Sequence, residues 1–147
     1  METTAPARST VVRSKETYEG KQGLTYFSGI ARETVGAQAI CMHVLTIPPG
    51  KRANAHFHES HESAIYLVSG RTEQLWGERL ENHDEIAPGD YVYIPAGLPH
   101  VVWNPSETED AVAVIARTDA SEQESVILTP ELEAVVEEFL ARRKSVV

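Results

Sequence analysis

Three histidines and two glutamates occupy the seven residues His56-Phe57-His58-Glu59-Ser60-His61-Glu62. Imidazole nitrogens and carboxylate oxygens are donors that hold transition metals, so this run is a candidate metal-binding cassette. In an extended chain His56 and His58 leave the same face with Cα atoms about 6–7 Å apart, close enough to converge on one ion. Two ligands do not complete a site. His100 is the best remote partner, because it follows Pro95-Ala96-Gly97-Leu98-Pro99, where proline fixes φ and glycine permits a tight reversal. A rigid turn of this kind aims the side chain that follows it.

The elements that must position these residues are short and β-rich. LTYFSGI, AICMHVLTI, SAIYLVSG, RTEQLW, DYVYIP, HVVWN and AVAVIAR follow one another from Leu24 onward, separated by Gly, Pro and charge clusters. Many are enriched in β-branched and aromatic residues. Their spacing, with turn signals such as PPG and APGD between them, predicts an antiparallel sandwich or barrel. Residues 1–20 form a polar arm, with a short strand expected at Ser9 to Arg13. Residues 21–128 form the barrel, and residues 129–147 a helix. Thr129 and Pro130 suit the N-cap and first helical position. Leu132, Val135, Val136, Phe139 and Leu140 make one apolar stripe that should dock on the outside of the barrel or across a dimer interface.

Bulk properties exclude several classes. The 147 residues carry 13 basic and 22 acidic side chains, a formal charge of -9. No clustered positive charge is available for nucleic acid or an anionic membrane. No run is apolar enough for a span or a secretory signal. The lone Cys41 excludes an internal disulfide, and a reducing cytoplasm is the simplest expectation.

Two spaced motifs carry a resemblance. Gly89, Pro95, Gly97, His100 and Asn104 match every fixed position of the second motif of the cupin superfamily, and Gly50, His56, His58 and Gly70 match most of the first. The chain resembles a small, single-domain, RmlC-like cupin over roughly residues 40–117, and GKQGLTYFSGI and HESAIYLVSG give it a likeness to the predicted mannose-6-phosphate isomerase group. The resemblance implies an all-β, double-stranded β-helix (the cupin jelly roll), here with a C-terminal α-helix. It also implies one divalent transition metal, such as Zn, Fe, Mn or Ni, held by His56, His58, His100 and a fourth ligand.

The fourth ligand departs from the motif. Counted from Gly70, the family's glutamate position falls on Ser63, and Glu62 comes one residue early. A one-residue shift turns a strand side chain to the other face. Either a bulge near Glu62 restores its aim, or His61, which shares parity with Ser63, takes the place. Ser63 suits a hydrogen-bonding role beside the ligands.

Other residues receive structural expectations. His43 is a packed core histidine, and His83 lies in a solvated loop. Tyr66, Tyr91, Tyr93 and Trp103 belong to the core or barrel wall, and Lys21 and Arg52 to the solvated surface. The resemblance implies a metal-dependent protein acting on a small molecule, with sugar-phosphate isomerisation or epimerisation first. Iron-dependent dioxygenation and non-catalytic ligand binding are the alternatives. The amino arm suits strand exchange in a homodimer.

Overall fold

The computed structural model describes residues 7–13 and 15–145. Among these residues eleven strands form two antiparallel sheets. The six-stranded sheet runs β1 (Thr17–Glu19), β2 (Thr25–Ile30), β3 (Cys41–Ile47), β10 (Ala111–Arg117), β5 (Ser63–Ser69) and β8 (Tyr91–Ile94). The five-stranded sheet runs β11 (Ile127–Leu128), β4 (His56–Phe57), β9 (His100–Trp103), β6 (Thr72–Trp76) and β7 (Asn82–Ile86). A short helix α1 (Arg32–Val35) links β2 to β3, and a 3-10 turn (Pro130–Leu132) leads into α2 (Glu133–Ser145).

Period-two alternation sets the layers. In β10, Ala111, Ala113, Ile115 and Arg117 are buried while Val112, Val114 and Ala116 are half-buried. Leu24, Tyr26, Leu45, Ile47, Leu67 and Ile86 meet the inward residues of β10 between the sheets. The five-stranded sheet is covered on both faces. His100 and Val102 of β9 turn into the barrel, whereas Val101 and Trp103 join Leu75, Leu80 and Ala55 beneath Leu132, Val135, Val136, Phe139 and Leu140. The apolar stripe therefore docks on the outside of the barrel, one of the two placements its spacing allows. Across β6 and β9, Trp76 stands opposite His100.

Several local expectations are corrected. Residues 9–13 form no strand, and Val11 is exposed; the first described strand is β1, which pairs with β2. The Thr129 side chain makes no cap bond. Its backbone N–H instead donates to Ala55 O, fastening the helix entry to the barrel. ENHDE is not a loop. It falls largely on β7, which pairs along its length with β6, and His83 Nε2 lies 2.7 Å from Glu73 Oε1 with its ring stacked on Trp103. Of the core or barrel-wall positions expected for Tyr66, Tyr91 and Tyr93, the wall is the one they take: all three lie in strands of the six-stranded sheet and are exposed on its outer face. Arg52 is tied to Glu133 by a 2.7 Å ion pair.

Candidate metal centre

His56 and His100 are direct register partners of β4 and β9. Two residues later in the chain, His58 returns to the same face. The ring centroids lie 4.3 Å apart for His56–His100, 4.9 Å for His56–His58 and 5.1 Å for His58–His100. One ligand atom from each of the three lies within 4.8 Å of the others, and all three residues are buried. All three line a cavity of about 50 Å³ between the sheets.

Each of the three rings is held from behind by a main-chain carbonyl. Nδ1 of His56 lies 2.6 Å from Asn54 O, Nδ1 of His58 3.1 Å from Ser125 O, and Nδ1 of His100 2.9 Å from Leu98 O. A carbonyl only accepts, so each Nδ1 carries the proton and each Nε2 keeps its lone pair. That tautomer leaves Nε2 free to ligate a metal, with the second nitrogen fixed by an outer hydrogen bond. Burial pushes all three histidines below their usual range, His100 to about 4, and the neighbouring imidazole of His100 adds to the effect at His56. The donors are therefore neutral at ordinary pH, and the residues fit a three-nitrogen transition-metal site.

The two motif halves are fastened together. Gly97 N–H donates to His58 O at 2.6 Å, and Gly97 has φ +78°, a left-handed conformation natural to glycine. Asn104 works as a loop clamp. Its Nδ2 donates to Ile47 O and Glu109 O, and its Oδ1 accepts from Ser106 N.

The structure does not bring Glu62 to the triad. Its carboxylate accepts from the exposed Tyr93 hydroxyl at 2.5 Å on the outer face. No bulge occurs beside it: the register shift on β5 lies opposite Val112/Ala113, beyond Leu67. His61, Ser63 and Leu67 consequently stay buried, and the parity argument places Glu62 outside. Ser63, at the family's glutamate position, borders the cavity.

His61 belongs to a second group with His58 and Glu124. Glu124 Oε1 lies 3.6 Å from His58 Nδ1 and Oε2 3.3 Å from His61 Nε2, while Asp119 lies 3.7 Å from His61 Nδ1. Glu124 also accepts from Gln22 Nε2 at 3.0 Å and is ion-paired with Arg117. Burial alone would raise its carboxyl, but the nearby His61 imidazole and the Arg117 charge outweigh it and hold the group below the usual carboxylate range. Because Glu124 approaches the Nδ1 side of His58, it stands behind that ring, opposite its Nε2 lone pair.

Sequence reasoning missed Glu124 and Arg117. Arg117 carried a usable signal, for it ends AVAVIAR on the same parity as Ala111, Ala113 and Ile115. Glu124 carried none, being one acid in the polar run TDASEQES. His43 is the packed histidine expected. It is buried, its Nδ1 accepts from Gly29 N at 3.3 Å, and Tyr18 meets it edge-on.

Comparison with known proteins agrees with this fold. The sequence profile of the Cupin domain family matches residues 43–116. A solved structure from Acidithiobacillus ferrooxidans, provisionally named a sugar phosphate isomerase, is 26% identical over 71% of this chain and 68% of its own, with TM-score 0.58. DMSP lyase from Ruegeria pomeroyi is 22% identical over 63% of this chain and 44% of its own, with TM-score 0.53. Oxalate decarboxylase from B. subtilis, in a single-substitution form, is 19% identical over 94% of this chain and 38% of its own, with TM-score 0.67. The latter two likenesses speak to the fold alone. No curated protein sequence matches the chain.

Proposed function

The chain belongs to the cupin domain family, and we propose that it is a metal-dependent enzyme acting on a small molecule through a three-imidazole centre. The observation that carries this reading is the set of three backbone-anchored Nδ1 atoms, which leaves Nε2 as the free donor on each of three buried histidines that border one cavity. His56, His58 and His100 hold one divalent ion of the Zn, Fe, Mn or Ni kind. Glu62 stays outside, and His61 and Glu124 support His58 from behind. A bound ion supplies Lewis acidity toward a substrate oxygen. The chain's own residues orient the imidazoles, exclude bulk water and present a mostly apolar wall.

Sugar-phosphate isomerisation is the reaction that the Acidithiobacillus ferrooxidans likeness favours. The cavity suits a smaller molecule better. It is about 50 Å³, and Arg117, the cation on its wall, is already paired with Glu124. Metal analysis of the purified protein, followed by turnover assays with sugar phosphates and small oxygenated acids, tests the reading. Protein that takes up no divalent metal after supplementation would refute it.

A homodimer is part of the same proposal. β1 and β8 are the edges of the six-stranded sheet, and β8 presents Tyr91 and Tyr93 at 83% and 61% exposure. Such an edge is a ready template for a second copy. Among the described residues no helix is long and apolar enough to cross a membrane. A reducing, cytoplasmic setting is the proposal that the lone buried Cys41 supports.

A further inference from the structure

One buried cation on the cavity wall touches none of the three histidines, and its pairing with Glu124 uses only part of its donor capacity. Arg117 is 2% exposed and borders the same cavity as the three histidines. Its guanidinium is ion-paired with Glu124 through Nε, lies 4.0 Å from Cys41 Sγ through Nη1, and sits 5.0 Å above the Tyr26 ring. The Tyr18 phenol interacts with it without completing a hydrogen bond. Nη2 is buried and has no hydrogen-bond partner.

The residue directly opposite Arg117 on β5 is Ser63. Ser63 is also 2% exposed, borders the same cavity, and has a hydroxyl without a partner. Directly opposed residues on antiparallel strands carry their side chains on one face with Cβ atoms about 4.5–5.5 Å apart. Two neighbouring residues of the cavity wall, one of them cationic, thus each carry a buried donor that no protein acceptor meets in hydrogen-bond geometry. Buried donors without acceptors are costly, and at a cavity wall they mark where a ligand supplies the acceptors.

We propose that Arg117 and Ser63 form an anion-recognition subsite for a small carboxylate, whose two oxygens accept from Arg117 Nη2 and Ser63 Oγ while its far end points toward the imidazole triad. The orientation of the far end rests on the metal-centre reading; the anion contact does not. Two donors match the two oxygens of a carboxylate. A phosphate dianion would demand more donors and more positive charge than a guanidinium already paired with Glu124 provides. The cavity of about 50 Å³ admits only a few heavy atoms, since one water needs roughly 10–15 Å³ on this measure.

The test uses the full chain, metal-free and zinc-loaded, titrated calorimetrically with pyruvate, its neutral amide and inorganic phosphate. Pyruvate is expected to bind both forms, and the amide and phosphate at least about tenfold more weakly. Replacing Arg117 alone would strand the buried Glu124 charge, so the informative variant is the double substitution Arg117→Gln/Glu124→Gln. It should weaken pyruvate by about 10- to 100-fold. Ser63→Ala should weaken it by a smaller factor, and it decides the matter alone if the double variant does not fold. Equal pyruvate affinity in wild type and these variants would overturn the subsite, as would phosphate binding as tightly as pyruvate. Pyruvate binding that requires zinc and survives the double substitution would also overturn it, placing the carboxylate at the triad. Zinc stoichiometry measured on the same samples keeps the two proposals separate: wild-type protein that takes no zinc but binds pyruvate through Arg117 refutes the metal centre and supports the subsite.

Discussion

His56 and His100 face each other across β4 and β9 with ring centroids 4.3 Å apart, and each has its Nδ1 fixed by a carbonyl two residues earlier in the chain. Both rings are thus aimed by local backbone rather than by distant side chains. His56→Ala, His58→Ala or His100→Ala should therefore abolish stoichiometric metal binding while the β-rich circular dichroism spectrum persists. Metal content by mass spectrometry provides the check, and normal content in the His58 and His100 variants would refute the ligand assignment.

The carboxylates divide differently. Glu62→Gln should leave metal affinity unchanged, since its partner is the exposed Tyr93. Glu124→Gln should lower it by about 10- to 100-fold, the usual cost of losing a group behind a ligating histidine. It should also destabilise the fold by about 3–5 kcal/mol by leaving Arg117 as an uncompensated buried charge. His61→Ala should keep one metal per chain. Loss of metal in that variant would make His61 the fourth ligand instead.

Acid should loosen the metal-free protein before carboxylates titrate. His43 and His100 are both pushed to about 4 by burial, from the ordinary 6.5. Between these values the unfolded chain binds the protons and the folded chain does not, so stability rises with pH across this window. It is fully present above about pH 6.5 and lost as pH falls toward 4, with each histidine contributing a slope approaching about 1.4 kcal/mol per pH unit. Urea midpoints at a series of pH values would show this, and a flat profile from pH 7 to 4.5 would contradict it.

Two motif glycines should differ in what they tolerate. Both Gly70 and Gly89 have positive φ, but a Cβ at Gly70 would stand 2.3 Å from Asp110 O, whereas Gly89 has open space. Gly89→Ala should cost about 1–2 kcal/mol from conformation alone. Gly70→Ala should cost more, because backbone at the start of β10 must move. Equal losses in chemical denaturation would show that the close approach is relieved cheaply.

Gel filtration at micromolar concentration should give a dimer. Replacing Tyr91 and Tyr93 together with lysine should shift it toward monomer if β8 is the shared edge. A wild-type monomer would remove the homodimer.

The motif spacing and strand periodicity made the jelly roll, the apolar stripe of α2 and the meeting of the three histidines legible, because each depends on local alternation or a rigid turn; the stripe alone does not choose between the barrel and a partner as its dock. The fourth position was not. Parity along β5 already pointed away from Glu62, but a bulge that would restore its aim is absent beside it, and the register shift sits beyond Leu67. Glu124 reaches His58 from 66 positions further along the chain, and no local pattern marks a contact made by a loop after the last long strand. ENHDE reads as a charged loop because four of its five residues are charged or imidazole; its strand character comes from pairing with β6 and from α2 covering His83.

The pairing of β6 with β9 has an optical consequence. The chain has two tryptophans: Trp76 is the register partner of His100, and Trp103 closes the strand that His100 opens. Trp76 is partly covered and donates to Asp84 at 2.8 Å, while Trp103 is buried under α2. Every indole emitter in the protein is thus wired to the same strand as a candidate ligand. Intrinsic fluorescence becomes a label-free gauge of the cavity: a quenching ion such as Ni²⁺ entering the triad should dim both signals, and the native protein needs no introduced dye to report it.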